Sequence, residues 1–227
     1  MHVQREHWRS ANVCGATAGV VLAGVVALLV AAIPATVTAR ADLFDELFKL
    51  GQARNGAMKT LTASFVETTS STLLTRPLVA SGTVAVERPA RIALRYTQPD
   101  ERVVLIDGDQ MTVAWPSRNL RQVKDIGATQ KRIQKYFVDS SPAELRANFN
   151  VSASEATDRP RTWLVTMAPK RKQIQDGLTR LDLWIDKTTQ LMSAMKMTFP
   201  NGDTKLMTFT DVKPDAPLDA GTFKAGS

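Results

Sequence analysis

Cysteine and histidine are nearly absent from this chain of 227 residues, which has one cysteine and two histidines. All three lie at the extreme N-terminus, as His2, His7 and Cys14. Beyond Cys14 the chain therefore has no disulfide, no cysteine nucleophile and no Ser-His-Asp triad, and it lacks the usual zinc ligands. We predict no catalytic residue, no metal site and no cofactor.

Catalysis by carboxylates alone stays open, because glycosidases need only two acidic side chains. The candidate carboxylates lie at predicted strand edges or turns, where solvated charges are expected. They are Glu67, Glu87, Asp107, Asp109, Asp182 and Asp186. We therefore predict that the protein is not an enzyme, and a carboxylate-based hydrolase ranks third among the functions considered.

The first 41 residues have the pattern of a secretory signal peptide. Arg5 and Arg9 precede an apolar run over residues 13–33, and small-x-small sites end at Ala39 and Ala41. The run is also long enough to serve as an uncleaved membrane anchor. In either case residues 42–227 form one domain outside the cytoplasm, where no nucleic-acid partner is expected.

The predicted order of elements in the domain is one helix, a first set of strands, two helices and a second set of strands. The first helix is predicted from Leu43 to about Met58 with Asp42 as its N-cap, and a strand follows from Leu61 to about Ser71. Residues 81–116 alternate with period two between turn residues, which predicts a four-stranded antiparallel meander. Residues 120–126 continue it, and five more strands are predicted between residues 150 and 212. This order favours an α+β fold with a large, strongly curved antiparallel sheet.

The two predicted helices between residues 127 and 149 interrupt the strands. Ile133, Tyr136 and Phe137 form the apolar stripe of the first, and the sequence from Ser141 to Glu144 has the form of a capping box for the second. Such helices can close the mouth of an open barrel or simply cover a sheet edge, and spacing alone does not separate the two.

Methionine is concentrated in the predicted strands, where Met195, Met197 and Phe199 alternate along one of them. A flexible thioether can line a pliable apolar pocket, but it also fills ordinary cores. Both interpretations remain open on composition.

Several spaced motifs make residues 42–227 resemble the periplasmic outer-membrane lipoprotein carrier (LolA) family. They are Gly82 followed by Arg88-Pro89, then Gln98-Pro99-Asp100, Asp107-Gly108, Trp115-Pro116 and the run from Leu183 to Asp186. The helical insert, residues 127–149, matches the family poorly.

The resemblance implies an incomplete antiparallel β-barrel with a helical lid over an apolar cavity that shields lipoprotein acyl chains in the periplasm. It implies a monomer that receives cargo from an inner-membrane ABC transporter and delivers it to an outer-membrane receptor lipoprotein. The cavity residues that we predict are Phe65, Leu94, Tyr96, Trp115, Met195, Met197 and Phe199. The alternative keeps the fold and changes the cargo to another lipid or amphiphile, or makes the protein a lipid sensor.

Arg88 has two interpretations. On spacing alone it is a solvated charge at a strand end. The resemblance implies that it gates the lid, because the arginine of the family's Arg-Pro motif holds the unloaded form shut through hydrogen bonds to the lid backbone.

Overall fold

The computed structural model describes residues 42–133, 135–136 and 140–225. The predicted signal peptide, residues 1–41, and Phe137 of the predicted lid stripe lie outside the described residues.

Four α-helices and eleven strands make up the described domain. The helices are α1 (Leu43–Ala57), α2 (Gly127–Ile133), α3 (Pro142–Asn148) and α4 (Lys172–Gln175), and a 3-10 turn spans Pro116–Arg118. The strands are β1 (Thr60–Ser70), β2 (Leu78–Glu87), β3 (Arg91–Gln98), β4 (Arg102–Asp107), β5 (Gln110–Trp115), β6 (Leu120–Asp125), β7 (Phe149–Glu155), β8 (Thr162–Pro169), β9 (Arg180–Asp186), β10 (Met192–Thr198) and β11 (Thr204–Pro214). The predicted order of elements agrees with the structure except for the short helix α4, between β8 and β9, which was not predicted.

All eleven strands form one antiparallel sheet in the order β6-β5-β4-β3-β2-β1-β11-β10-β9-β8-β7. Two meanders, one before and one after the central helices, are joined where β1 pairs with β11. In the described part of the chain β6 and β7 remain edge strands, so the sheet is an incomplete antiparallel β-barrel with a helical lid. The predicted fold class is confirmed.

Local sequence chemistry sets the ends of the helices. The Asp42 carboxylate accepts a hydrogen bond from the Phe44 N–H at 3.0 Å, as expected of an N-cap. At α3 the Ser141 hydroxyl accepts from the Glu144 N–H, and the Glu144 carboxylate accepts from the Ser141 N–H, with Pro142 in the first turn. Both caps satisfy backbone donors that a helix start leaves unpaired.

The two faces of the sheet are covered by different parts of the chain. We call the face that contacts α1 and α3 the helix face. There Phe44 and Leu47 of α1 and Leu145 of α3 pack with Phe149, Val165, Met167 and Leu181 from β7, β8 and β9. On the opposite, outer face, Ala93, Val103 and Leu105 pack beneath Phe223 and Ala225 of the C-terminal segment. None of the helices in the described part of the chain combines the length and apolar character that a membrane span requires.

Candidate functional site

Strand pairing places most of the predicted cavity residues on the helix face. Phe65 of β1 pairs with Gly82 of β2, which pairs with Tyr96 of β3, and side chains of paired residues point to the same face. Leu94 lies two positions before Tyr96 on β3, so it shares this face.

The other predicted residues join this face through the remaining strands. Met195 pairs with Met207 of β11, which pairs in turn with Glu67, two residues from Phe65. Met197 follows two residues later on β10. Trp115 of β5 lies beside Tyr96 in the wall of one cavity. Phe199 is different: β10 ends at Thr198, and the Phe199 N–H donates to the Asp203 carbonyl in the next turn.

The helix face is divided into a covered half and an open half. Over β7 to β10, helix residues complete the apolar cluster described above. Over β1 to β4 and β11, the buried apolar residues are Ala63, Phe65, Val84, Tyr96 and Met207, and every described apolar residue packed against them comes from a strand. Met195 contacts both clusters, so the two halves are continuous.

We call the half-buried apolar side chains of the open half the apolar wall: Leu61, Val86, Ile92, Leu94, Val104 and Phe209. These side chains are large, contiguous and only partly withdrawn from water. Contiguous apolar side chains that keep some contact with solvent can line a ligand groove.

Phe65 and Tyr96 form a buried aromatic pair beneath the apolar wall. Phe65 is 2 % exposed and Tyr96 is 5 % exposed, and their rings meet edge to face with centroids 5.0 Å apart. The pair therefore has a packing role, which positions the partly exposed side chains around it.

Helix α1 and the lid helix α3 are joined by an ion-pair cluster. The Arg146 guanidinium lies 2.5 Å from a carboxylate oxygen of Asp42 and 2.7 Å from one of Asp45. It also stacks 4.9 Å from the centre of the Phe44 ring. The hydrogen bond from the Phe44 N–H and the pairing with Arg146 hold the pKa of Asp42 below its usual value. These contacts hold α1 against α3.

Arg88 directly follows the last residue of β2. Its N–H donates to the carbonyl of Lys59, just after α1, and its side chain is exposed. In the same turn the Ala90 carbonyl accepts a hydrogen bond from the Gly108 N–H. Gly108 belongs to a second turn, and α2 begins beside that turn. No hydrogen bond or ion pair joins the Arg88 side chain to a described residue, so its gating role stays a prediction.

A cavity of about 350 Å³ opens at the other end of the helix face, beyond the apolar wall. We call it the polar pocket; its walls include Glu67, Leu78, Tyr96, Arg102, Trp115 and Lys205. Glu67 was predicted to be a solvated strand-edge charge, and this prediction is wrong because the residue is only 6 % exposed. Asp182 is likewise buried, at 5 % exposure.

Sequence reasoning missed the charged residues of this pocket, although one signal was present. Glu67 continues the alternation of Ala63 and Phe65 along β1, so period two places it on the buried face. Lys205 carries no such signal, because only the long-range pairing of β11 with β1 brings it to Glu67. Arg102 pairs with Tyr96 across the short turn between β3 and β4, but its charge gave no reason to expect a buried position.

A larger cavity, of about 530 Å³, lies on the outer face beneath the C-terminal segment. Arg95 holds this segment by donating to the carbonyls of Gly221, Thr222 and Lys224 at 3.0, 3.0 and 2.7 Å. None of the predicted cavity residues lines it.

The family model described as outer membrane lipoprotein carrier protein LolA matches residues 56–226. The chain belongs to the LolA family. Membership supports a lipoprotein-carrier role at the level of the family.

Individual members of the family are distant in sequence. An outer-membrane lipoprotein carrier protein of Cupriavidus taiwanensis is 28% identical over 152 residues, which cover 64% of this chain and 65% of that protein. The match thus spans less than two thirds of that relative. A protein of the same description from Pseudomonas entomophila is 26% identical over 169 residues, 73% of this chain and 77% of that protein.

Solved structures with this architecture include an uncharacterized conserved protein from Thermus thermophilus. It has a TM-score of 0.50 and 8% sequence identity, and the match covers 82% of this chain and 98% of that one. At this identity the likeness shows the fold alone.

Proposed function

We propose that this protein is a non-enzymatic periplasmic carrier that binds lipoprotein acyl chains on its apolar wall between the inner and outer membranes. The observation that carries the proposal is the uneven cover of the helix face. Described helix residues complete the cluster over β7 to β10, whereas the wall over β1 to β4 and β11 stays half-buried. Family membership supports the same role.

The energetics suit reversible binding. A buried methylene contributes about 0.8 kcal/mol, so roughly ten methylenes against the wall would contribute about 8 kcal/mol before the cost of association is subtracted. Binding of this order can withdraw an acyl chain from water and still permit release. An inner-membrane ABC transporter as donor and an outer-membrane receptor lipoprotein as acceptor complete the proposed route.

The test is displacement of a fluorescent acyl probe by a triacylated lipopeptide. Met195→Gln replaces a thioether that contacts both clusters with a polar side chain of similar shape, and we expect it to weaken probe binding roughly 3- to 10-fold. Met192→Gln is the matched control, since Met192 lies on the same strand but is 39 % exposed. A folded protein that binds no probe, or equal effects of the two substitutions, would contradict the proposal.

We further propose that Arg88 biases the lid toward its closed, empty state. Its turn is joined by backbone hydrogen bonds to Lys59, two residues after α1, and to Gly108 of the turn beside α2, and the exposed Arg88 side chain is free to reach a lid that moves there. A guanidinium offers five donors, and hydrogen bonds to a charged group contribute about 1.5–3 kcal/mol each. One or two such bonds are enough to shift a two-state lid.

Arg88→Leu should leave cargo uptake intact and slow release to the acceptor, because the closed empty state that favours unloading is lost. A transfer assay with donor membranes, purified carrier and acceptor membranes measures both steps. Arg76→Leu is the matched control: Arg76 also precedes a proline and is exposed, but it lies in the loop between β1 and β2. Unchanged transfer by folded Arg88→Leu would show that Arg88 is only an edge charge.

A further inference from the structure

Glu67 is the buried acid of the polar pocket, and its charge is fully matched. One carboxylate oxygen accepts a hydrogen bond from the Tyr96 hydroxyl at 2.8 Å, and the other pairs with the Lys205 ammonium at 3.0 Å. A buried carboxylate requires such partners, because burial without them is strongly unfavourable. Glu67 carries one negative charge, and Lys205 already pairs with it, so a second cation in the pocket has no equivalent counter-charge from Glu67.

Arg102 is that second cation. Its guanidinium lies 3.9 Å above the centre of the Tyr96 ring, and its Nε is buried without a hydrogen-bond acceptor among the described residues. The other carboxylate on the pocket wall, Asp100, is paired with Arg118 at 3.2 Å. In the part of the chain that the structure describes, no carboxylate lies within ion-pair distance of Arg102. Buried polar atoms nearly always have a partner, so this donor lacks an acceptor that a ligand can supply.

The pocket is continuous with the apolar wall. Arg102 pairs with Tyr96 across β3 and β4, and the next pair along the same face is Leu94 with Val104. Both of these side chains belong to the wall. A cation without a partner thus adjoins an apolar surface, and the two together match a molecule with an anionic head and an apolar tail.

We propose that the polar pocket binds the carboxylate or phosphate head group of an amphiphile whose acyl chain lies along the apolar wall. Arg102 supplies the charge and its fork of donors, and Lys205 retains donors that Glu67 does not use. The inference rests on the proposed function for the tail and extends it by naming the chemistry of the head.

Three probes with the same acyl chain test the head-group site on the full-length protein: a fluorescent fatty acid, its methyl ester and the corresponding lysophosphatidate. We expect both anionic probes to bind at least about 10-fold more tightly than the ester, the effect of one charge-assisted hydrogen bond. Tighter binding of the carboxylate indicates that the site prefers a fatty-acid head group, and tighter binding of the phosphate indicates that it prefers a phospholipid head group.

Arg102→Gln should abolish this preference while binding the methyl ester as the unaltered protein does. Arg121→Gln is the matched control: it removes the same charge from an exposed position of β6, where Arg121 pairs with the outer-face residue Ala114. Equal binding of acid and ester by the unaltered protein, or a preference that survives in Arg102→Gln, overturns the proposal. If the ester binds without any preference, the head-group site fails and the apolar carrier stands; if no probe binds, the carrier fails as well.

Discussion

Gly82 is the position where a single added methyl group should do most damage. It lies in β2 with Phe65 of β1 and Tyr96 of β3 as its neighbours in register, and their two rings meet over it at 5.0 Å. A Cβ at Gly82 would lie 2.0 Å from the carbonyl oxygen of Arg95 and 2.8 Å from the Cα of Tyr96. Because both are backbone atoms, the clash is relieved only if β3 moves.

The expected loss for Gly82→Ala combines two effects. Overpacking of this kind costs about 1–3 kcal/mol, and disturbance of the aromatic pair adds about 0.5–1.5 kcal/mol, so we expect the free energy of unfolding to fall by about 2–4 kcal/mol. Equilibrium urea denaturation measures it. The glycine of the family's Gly-x5-Arg-Pro motif thus has a physical reason in this chain.

Gly51→Ala is the control with the opposite sign. Gly51 lies inside α1, and a Cβ there meets nothing within 4 Å. Alanine in a helix interior should raise the free energy of unfolding by about 0.5–1 kcal/mol. Equal stabilities of Gly82→Ala and the unaltered protein would refute the reasoning, since they would mean that β2 and β3 separate without cost.

Two further predictions concern charged and titrating groups. Arg146→Met should lower the free energy of unfolding by about 1 kcal/mol and speed amide exchange in α1, because it removes both acidic partners' ion pairs. The pKa of Asp42 lies below its ordinary value of 3.8, so the ionised carboxylate contributes to the free energy of unfolding above pH 3.8 and this contribution is lost as the pH falls through the lowered pKa. If Arg146→Met left the dependence of stability on pH unchanged, this prediction would be contradicted. Burial and the hydrogen bond to the acid in β1 raise the pKa of Tyr96 from 10.0 to about 12. The contribution of Tyr96 to the free energy of unfolding should therefore be full below pH 10 and fall as the pH rises toward 12. Ultraviolet titration of the Tyr136→Phe protein, in which Tyr96 is the only tyrosine, measures its ionisation directly. Ionisation centred at pH 10 would contradict this prediction.

Local chemistry made much of the fold predictable. The Asp42 cap, the capping box at Ser141 and the period-two runs between turns each depend on residues a few positions apart, and the structure contains all three. The alternation of Met195 and Met197 likewise predicted that the two side chains share one face. The predicted strand also included Phe199, one residue beyond the end of β10. The chain turns at Phe199, where the N–H bonds to Asp203, and alternation has no meaning beyond a strand end.

The polar pocket as a whole could not be predicted, because the contact between Glu67 and Lys205 depends on strands that are far apart in the chain. Lys205 reaches Glu67 through the pairing of β11 with β1, and Arg102 reaches Tyr96 through that of β4 with β3. A charged residue in a strand indicates solvent exposure by default. Period two places Glu67 on the face of Ala63 and Phe65, but only the register of the whole sheet shows that Lys205 lies beside it.

Folding alone does not account for the charges in this pocket. Buried ion pairs can often be replaced by apolar residues of similar volume without loss of stability, so Glu67 and Lys205 are a poor means of stabilising a sheet. Their effect is different: they pair with each other and leave Arg102, at the end of the apolar wall, without a carboxylate partner among the described residues. A carrier that bound acyl chains by apolar contact alone would accept them in either direction. A fixed cation at one end gives an amphiphile a single orientation, with its head group in the polar pocket and its acyl chain along the apolar wall toward the lid.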